Sequence, residues 1–153
     1  MPPSADANDT NANSMRCLLV LMFGAFAMGN AKFSIFPLVP AIAADLNSSP
    51  SEILHAVFAY LWGGLIAAPI MAIVFRNWSK PRILTLLSVW CFLGNLLTSF
   101  ATNADMLYWL RWFSGIPHAA FLAFSTLLIA EIAPPNKRGR YLGLSLVGLS
   151  LST

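Results

Sequence analysis

Charged residues are scarce in this chain. Its 153 residues include 9 Lys or Arg and 6 Asp or Glu, which together make up 10% of the sequence, whereas 58% of the residues are hydrophobic. A soluble domain averages about 25% charged and about 45–50% apolar residues, so the composition is typical of a polytopic membrane protein instead. The net charge of +3 is small and lies in loops, so we expect no nucleic-acid partner.

Cysteine is rare as well, and the familiar cofactor motifs are missing from the sequence. Cys17 and Cys91 both lie in apolar runs, and we interpret them as free thiols that pack as small apolar groups. A disulfide framework would need more cysteines than two. The sequence has no Walker motif, no Rossmann glycine pattern and no cluster of metal-ligand residues. We therefore expect no cofactor, no bound metal and no enzymatic activity.

Long apolar stretches fill most of the chain. Four of them reach the length of about 20 mostly apolar residues that a transmembrane helix needs, and a fifth ends after about half that length. We therefore expect the chain to be truncated within its fifth span. The predicted spans are residues 16–44, 52–75, 81–101 and 106–133, followed by the partial span 141–153, and together they predict a transmembrane helical bundle over residues 15–153.

The charges that flank these spans alternate in sign along the chain. Basic residues lie at one end of the spans, and the connections at the other end carry acids without Lys or Arg. The positive-inside rule then predicts a cytoplasmic N-terminus, and the polar segment 1–14, which lacks aromatic residues, is predicted to be a disordered cytoplasmic tail. The basic residues are Arg16, Arg76, Lys80, Arg82, Lys137, Arg138 and Arg140, and the acids are Asp45, Glu52 and Asp105.

Arg111 is a charge inside the fourth apolar span. A charge at mid-helix costs about 2.5–3.5 kcal/mol on insertion scales, so it persists mainly where it faces a partner or a cavity. Gly115, Ala119 and Ala123 follow at intervals of four residues, and small residues at this spacing let another helix approach closely. The spacing predicts that Arg111 points toward a neighbouring helix. The alternative is that it only extends to the nearer membrane interface.

Four segments of the chain resemble motifs of one transporter family in their order and spacing. Arg111-x-x-x-Gly115 resembles motif B of the major facilitator superfamily. The segments GAFAMGNAKFSIFPLVPAIAADL, AYLWGGLIAAPIMA, FLGNLLTSFAT and RWFSGIPHAAF are similar to the sugar-efflux (arabinose-efflux-like) branch and its drug:proton antiporter neighbours. The resemblance implies an all-α membrane protein that forms the N-terminal part of this superfamily's helix bundle, with four complete transmembrane helices and the start of a fifth.

The same resemblance implies a secondary active transporter. Relatives of this kind move solutes by alternating access around a site near the membrane midplane. We expect proton-coupled efflux of sugars, drugs or other small organic solutes across the bacterial inner membrane. The expected partners are the lipid bilayer, a small-molecule substrate, protons and the missing C-terminal half of the transporter. The alternative is a small four-span scaffold or assembly protein, or an inactive truncation product.

The connection between the second and third spans departs from the family pattern. The superfamily carries Gly-x-x-x-Asp-Arg-x-Gly-Arg-Arg here, but Phe75 stands at the acid and Trp78 at the second glycine. The basic character survives in Arg76, Lys80 and Arg82. After the fourth span, Glu131 is followed by Arg138 and Arg140; this basic run is mainly a topology signal, and the alternative is a gate contact with Glu131.

Two further residues join Arg111 as predicted substrate or coupling positions. Lys32 stands where sugar-efflux relatives commonly carry an acid. It could exchange protons when desolvated, attract an anionic group of the substrate, or extend into the outer vestibule without a specific role. His118 follows Pro117, and it could line the cavity and titrate or form a hydrogen bond across helices.

Overall fold

The structure is a computed structural model that describes residues 5–152, with side chains described from residue 13 onward except that of residue 135. Within residues 5–152 the regular elements are all helical, which confirms the predicted all-α fold. The α-helices are α1 (Ala5–Phe33), α2 (Val39–Asp45), α3 (Pro50–Val74), α4 (Lys80–Thr98), α5 (Ala104–Ile132) and α6 (Arg138–Ser150), with short 3-10 turns at Phe36–Leu38 and Pro135–Lys137.

Four spans among the described residues are long and apolar enough to cross a membrane, which is the number that the sequence predicts. The first of them contains both α1 and α2, and each of the others is a single helix. The spans are Asn13–Asp45, Pro50–Val74, Lys80–Thr98 and Ala104–Ile132.

The first span is not one continuous helix. Helix α1 ends at Phe33, a 3-10 turn occupies Phe36–Leu38, and α2 begins at Val39. Pro37 and Pro40 lie at this break, and a proline can neither donate a backbone hydrogen bond nor fit the preceding helical turn. The span predicted over residues 16–44 thus consists of two helices, with a junction that begins just after Lys32.

Helix α1 also extends into the segment that the sequence predicts to be a disordered tail. It begins at Ala5, so residues 5–14 continue the helix, while residues 1–4 lie outside the described residues. Ser14 is buried, and its Oγ donates a hydrogen bond to the carbonyl oxygen of Ile132 at 3.2 Å. This contact fixes α1 to the end of α5. Extension of α1 through residues 5–14 is favoured because each residue added to a formed helix gains one hydrogen bond.

Side-chain caps define the starts of α3 and α5. Ser49 and Glu52 form a capping box, in which the Ser49 amide donates to Glu52 Oε2 at 2.8 Å and the Glu52 amide donates to Ser49 Oγ at 3.3 Å. Asn103 Oδ1 accepts from the Met106 amide at 2.8 Å. Each cap satisfies an amide that has no partner in the first helical turn. The two helices run in the same direction, since Val57 clusters with Leu107 and Phe75 meets Phe124, so both caps lie at one end of the bundle.

Helix α5 is the centre of the packing. It packs against α3 and α4 along much of its length and makes smaller contacts with α1 and α6. Helix α1 packs mainly against α6, and the short α2 packs on α3. The described part of the chain is therefore built from two packed groups, α3–α4–α5 and α1–α6, which meet where α1 faces α5.

Two apolar clusters fill the interior at different levels. We call the end of the bundle with Arg76, Lys80 and Arg138 the basic end, and the end with Asp45, Glu52 and Asp105 the acidic end. The basic-end cluster includes Leu18, Leu21, Met28, Ile83, Leu87, Ala120, Phe121, Phe124 and Ile129. The acidic-end cluster consists of Ile35, Val39, Ala43, Ile53, Ala56, Val57 and Leu107.

Candidate functional site

Polar side chains lie between the two apolar clusters. On α5, Leu107 belongs to the acidic-end cluster and Ala120 to the basic-end cluster. A rise of about 1.5 Å per residue puts residues 111–118, which lie between them, roughly 10–21 Å from the start of α5, inside the membrane-spanning part. We call the five side chains at this level the polar layer: Lys32 of α1, Tyr60 of α3, and Arg111, Ser114 and His118 of α5.

Arg111 lies in the middle of the polar layer and is almost completely buried, with 2% of its surface exposed. Its Nη1 donates a hydrogen bond to the carbonyl oxygen of Ala31 at 3.1 Å. Ala31 belongs to the last turn of α1, where carbonyl groups have no partner within the helix. The Arg111 side chain therefore acts as a cap for α1, and its positive charge faces the negative end of the helix dipole.

The rest of the Arg111 guanidinium packs against an aromatic ring. Its Cζ lies 4.5 Å from the centroid of the Tyr60 ring, which is a cation–π distance. Nε and Nη2 are buried and have no hydrogen-bond partner among the residues that the structure describes. The polar layer thus contains hydrogen-bond donors that the described chain does not satisfy. A buried donor without a partner costs free energy.

Tyr60 connects three helices at this level. Its hydroxyl lies 3.3 Å from His118 Nδ1, and the two rings meet edge to face at 5.5 Å. The hydroxyl also interacts with the thiol of Cys91 on α4. Tyr60 is not among the site residues predicted from the sequence. Its only local signal is its position, as a polar aromatic residue one turn before Gly63 and Gly64 in an apolar span.

Lys32 and His118 are the partly exposed members of the layer. Lys32 lies in the last turn of α1, and its Nζ is 4.6 Å from the centroid of the Phe33 ring. His118 lies close to the Met28 backbone and to Lys32, both on α1. The structure thus brings the three predicted positions, Lys32, Arg111 and His118, to one level where α1 faces α5.

Close backbone contacts hold α3 against α5 beside this layer. A Cβ at Gly115 would fall on the carbonyl oxygen of Tyr60, so a hydrogen is required there. Ala119 lies beside Gly64, with its Cβ 3.6 Å from where a Cβ of Gly64 would be. These two small residues of the predicted stripe lie in the α3–α5 contact, whereas Ala123 is exposed.

An ion pair connects two helix ends at the basic end of the bundle. Lys80 Nζ lies 2.5 Å from Glu131 Oε1, so the start of α4 is joined to the end of α5. Glu131 therefore pairs with Lys80, and the alternative considered from the sequence, a gate contact between Glu131 and the basic run after α5, does not form within the described residues. The other basic-end arginines are exposed and form no ion pair within the described residues: Arg76, Arg82, Arg138 and Arg140.

An open apolar groove of about 740 Å³ runs between α1 and α4. The polar side chains that line it form bonds to their own helix: Ser88 Oγ donates to the Leu84 carbonyl at 2.8 Å, and Asn95 Nδ2 donates to the Cys91 carbonyl at 2.8 Å. The groove therefore presents an apolar surface. Among the described residues no group of three His, Cys, Asp or Glu side chains could hold a metal ion.

The class of protein is shown by a family profile, with which the all-helical fold agrees. The sequence profile of the Major Facilitator Superfamily matches residues 21–153, and the chain belongs to this family of multi-pass membrane transporters. The resemblance predicted from the four sequence motifs is thereby confirmed.

Three curated relatives support the same assignment. The chain is 30% identical over 122 residues to the "Putative transporter AraJ" of Escherichia coli (strain K12), covering 80% of this chain and 31% of the relative. It is 28% identical over 135 residues to the "Inner membrane transport protein YdhP" of the same strain (88% and 35%). It is 28% identical over 136 residues to the "Probable sugar efflux transporter" of Mannheimia succiniciproducens (88% and 34%). The chain spans about a third of the length of these relatives.

Proposed function

We propose that this chain is the N-terminal part of a proton-coupled efflux transporter for sugars, drugs or other small organic solutes. It lies in the bacterial inner membrane with a cytoplasmic N-terminus, and the remainder of the transporter supplies the opposing helical bundle. Family membership supports transport, and relatives named for inner-membrane transport and sugar efflux support the location and the direction. The basic residues at one end of the spans support the orientation.

The observation that carries this proposal is the polar layer between two apolar clusters. Ionisable residues within transmembrane segments are costly, and they mark substrate or ion pathways. Lys32 and Arg111 are two such residues at one level of the bundle, where α1 faces α5. In transporters of this architecture the substrate site lies near the midplane, and access alternates as one bundle rocks against the other.

The residues of the layer have different roles in this proposal. Arg111 is a positioning residue, since it is buried and holds the last turn of α1 through Ala31. Lys32 and His118, which are partly exposed, line the path of the substrate. The Tyr60 hydroxyl and the close contact at Gly115 keep α3 and α5 in register around them.

Everted membrane vesicles that contain the protein expressed from its full reading frame test this function. An imposed proton gradient should drive uptake of labelled sugars or drugs, because efflux from cells appears as uptake into everted vesicles. We expect Lys32→Ala and Arg111→Ala to lower the initial rate about tenfold or more, which corresponds to about 1.4 kcal/mol. Lys137→Ala, which removes an exposed charge outside the spans, is the control.

Three outcomes separate the parts of the proposal. Wild-type rates in both the Lys32→Ala and the Arg111→Ala proteins would refute the site. Uptake that persists after the proton gradient is collapsed would refute proton coupling. Failure of every tested sugar and drug to move, in a protein that is folded and inserted, would count against the transport of such solutes.

A further inference from the structure

The polar layer carries two positive charges and no carboxylate. Glu131 pairs with Lys80 at the basic end, and the other acidic side chains within residues 13–152 are exposed near the acidic end. Lys32 and Arg111 therefore have no acidic partner in the described part of the chain. The groups that contact them are neutral. Lys32 lies over the Phe33 ring, and Arg111 contacts the Tyr60 ring and the Ala31 carbonyl.

The helix dipole offsets only part of this charge. Both cations lie at the C-terminal end of α1, which is equivalent to about half a negative elementary charge. Two positive charges with half a charge opposite to them leave more than one unit uncompensated. A layer of this kind between apolar clusters favours the approach of an anion.

The two cations differ in whether a ligand can reach them. Arg111 is 2% exposed, bonded to Ala31 and stacked on Tyr60, so a ligand cannot reach its guanidinium without moving α1 or α3. Lys32 is partly exposed, one residue beyond the carbonyl that Arg111 holds. Its ammonium group is free to turn from the Phe33 ring toward a ligand, since the flexible stem of lysine carries three rotatable donors.

We propose that Lys32 binds an anionic group, a carboxylate, of the transported solute, with Arg111 as the fixed charge behind it. This inference rests on the proposed transport function and narrows the substrates to organic acids such as sugar acids. A charge-assisted hydrogen bond from the ammonium to the carboxylate forms the contact. The buried Arg111 raises the local positive potential without contacting the solute, and the cap that it places on Ala31 fixes the backbone beside Lys32.

Two substitutions at one position separate this role from proton carriage. Lys32→Arg keeps the positive charge but cannot release a proton, because arginine stays protonated in proteins. An anion site therefore survives Lys32→Arg, whereas a proton carrier does not. Lys32→Gln removes the charge while keeping a polar side chain, so it weakens an anion site.

The test measures binding to the purified full-length protein by thermal stability at constant ionic strength. The probes are matched pairs of an acid and its neutral counterpart: galacturonate and galactose, benzoate and benzamide, and salicylate and salicylamide. We expect at least one acid, and not its neutral counterpart, to raise the unfolding temperature. Lys32→Gln should weaken this binding about tenfold or more, and Lys32→Arg should stay within about threefold of wild type. Lys137→Gln should bind as wild type does.

The inference is overturned if no acid binds, if an acid and its neutral counterpart bind equally, or if Lys32→Gln leaves acid binding unchanged. The unfolding temperature of each variant without ligand shows whether it is folded, and Lys32→Arg provides a second test if Lys32→Gln is not. Failure of the proposed function gives a different result. If acids bind in a way that depends on Lys32 but no gradient-driven movement occurs, the anion site is supported and transport is contradicted. If Lys32→Gln transports neutral sugars at wild-type rates, transport is supported and the anion site is contradicted.

Discussion

At the scale of single residues, Arg111 is stabilised by neutral partners. A carbonyl at the end of α1 accepts one hydrogen bond, and the Tyr60 ring covers the guanidinium face. This arrangement differs from the usual expectation that a buried charge needs an opposite charge. The helix end and the ring together make a cation tolerable in a membrane segment, and they leave Nε and Nη2 unpaired among the described residues.

Tyr60 allows the ring and hydroxyl contributions to be measured separately. Tyr60→Phe keeps the ring below Arg111 but removes the hydroxyl that contacts His118 and Cys91. We expect Tyr60→Phe to lower stability by about 1 kcal/mol, the typical net contribution of a hydrogen bond. Tyr60→Leu also removes the cation–π contact, and we expect a further loss of about 1–2 kcal/mol. Thermal unfolding of the full-length protein in detergent gives both values.

Equal stability of the Tyr60→Phe and Tyr60→Leu proteins would contradict the cation–π contact. A Tyr60→Phe protein as stable as wild type would show instead that the hydroxyl contacts with His118 and Cys91 contribute nothing.

The sequence identified Arg111 and missed Tyr60 for a physical reason. A charge in an apolar span is anomalous by itself, and the small residues after it predict a helix contact. Tyr60 is unremarkable in its local sequence, since its partners Cys91 and His118 are 31 and 58 positions away along the chain. Its role exists only after α3, α4 and α5 have packed together.

At the scale of helices, the contact between α3 and α5 depends on glycines that face the partner backbone. A Cβ at Gly63 would fall on the carbonyl oxygen of Trp112, and one at Gly115 on that of Tyr60. In a bilayer, where lipid is as apolar as the helix surface, such close packing is a main source of helix association. The pair α3–α5 therefore behaves as one unit.

Gly115→Ala should separate these two helices. The new methyl would also lie 2.7 Å from the Tyr60 carbonyl carbon and 2.8 Å from its Cα, and backbone atoms cannot turn away as a side chain does. We expect a destabilisation of about 1–3 kcal/mol, as for other overpacked sites, with loss of transport. Thermal unfolding and vesicle uptake measure these effects.

Gly143→Ala on α6 is the matched control, because a Cβ there meets nothing within 4 Å. Replacing a helical glycine with alanine in open space stabilises a helix by up to about 1 kcal/mol. If Gly115→Ala were as stable as Gly143→Ala, the close approach of α3 and α5 would not be important for stability.

The number of apolar spans was predictable from composition, but the division of the first span was not. Apolar length predicts where a span lies, and it continues from α1 into α2 without interruption. The break depends on Pro37 and Pro40 and on Arg111, which satisfies the carbonyl of Ala31 from another helix. Because that partner lies 80 positions away, the sequence near α1 does not reveal it.

At the scale of the whole molecule, basic and acidic residues separate to opposite ends of the bundle. Lys80 and Glu131 form the one ion pair found within residues 13–152, and their side chains are 28% and 58% exposed. Exposed pairs of this kind contribute about 0–1 kcal/mol, so the charge separation has little effect on stability. Its main physical consequence is the orientation of the spans in the membrane.

Reporter fusions test this orientation in cells. Alkaline phosphatase is active only outside the cytoplasm, and green fluorescent protein exported through the general secretion pathway does not fluoresce. We expect phosphatase activity from fusions after Ser48 and Thr102, and fluorescence from fusions after Asn77 and Asn136, since the latter two follow the basic connections. The opposite pattern would place the N-terminus outside the cytoplasm.

The family was predictable from the sequence, because four motifs in the right order are improbable by chance. The polar layer was only partly predictable. Lys32 and Arg111 stood out as two cations in apolar spans. Their position at one level follows from the angle and depth at which α1 meets α5, which no local pattern encodes. The groups that contact these cations are brought together only when the helices pack.

The two apolar clusters also determine how the layer experiences the membrane potential. Each cluster is a region of packed apolar side chains on one side of Lys32 and Arg111. Because a voltage falls mainly across regions of low dielectric constant, we expect much of the membrane potential to fall across the clusters. One elementary charge crossing 100 mV changes in energy by about 2.3 kcal/mol. In the transporter that we propose, an anion that enters the layer from one side and leaves by the other moves charge across this voltage, so we expect its efflux to respond to voltage as well as to the proton gradient.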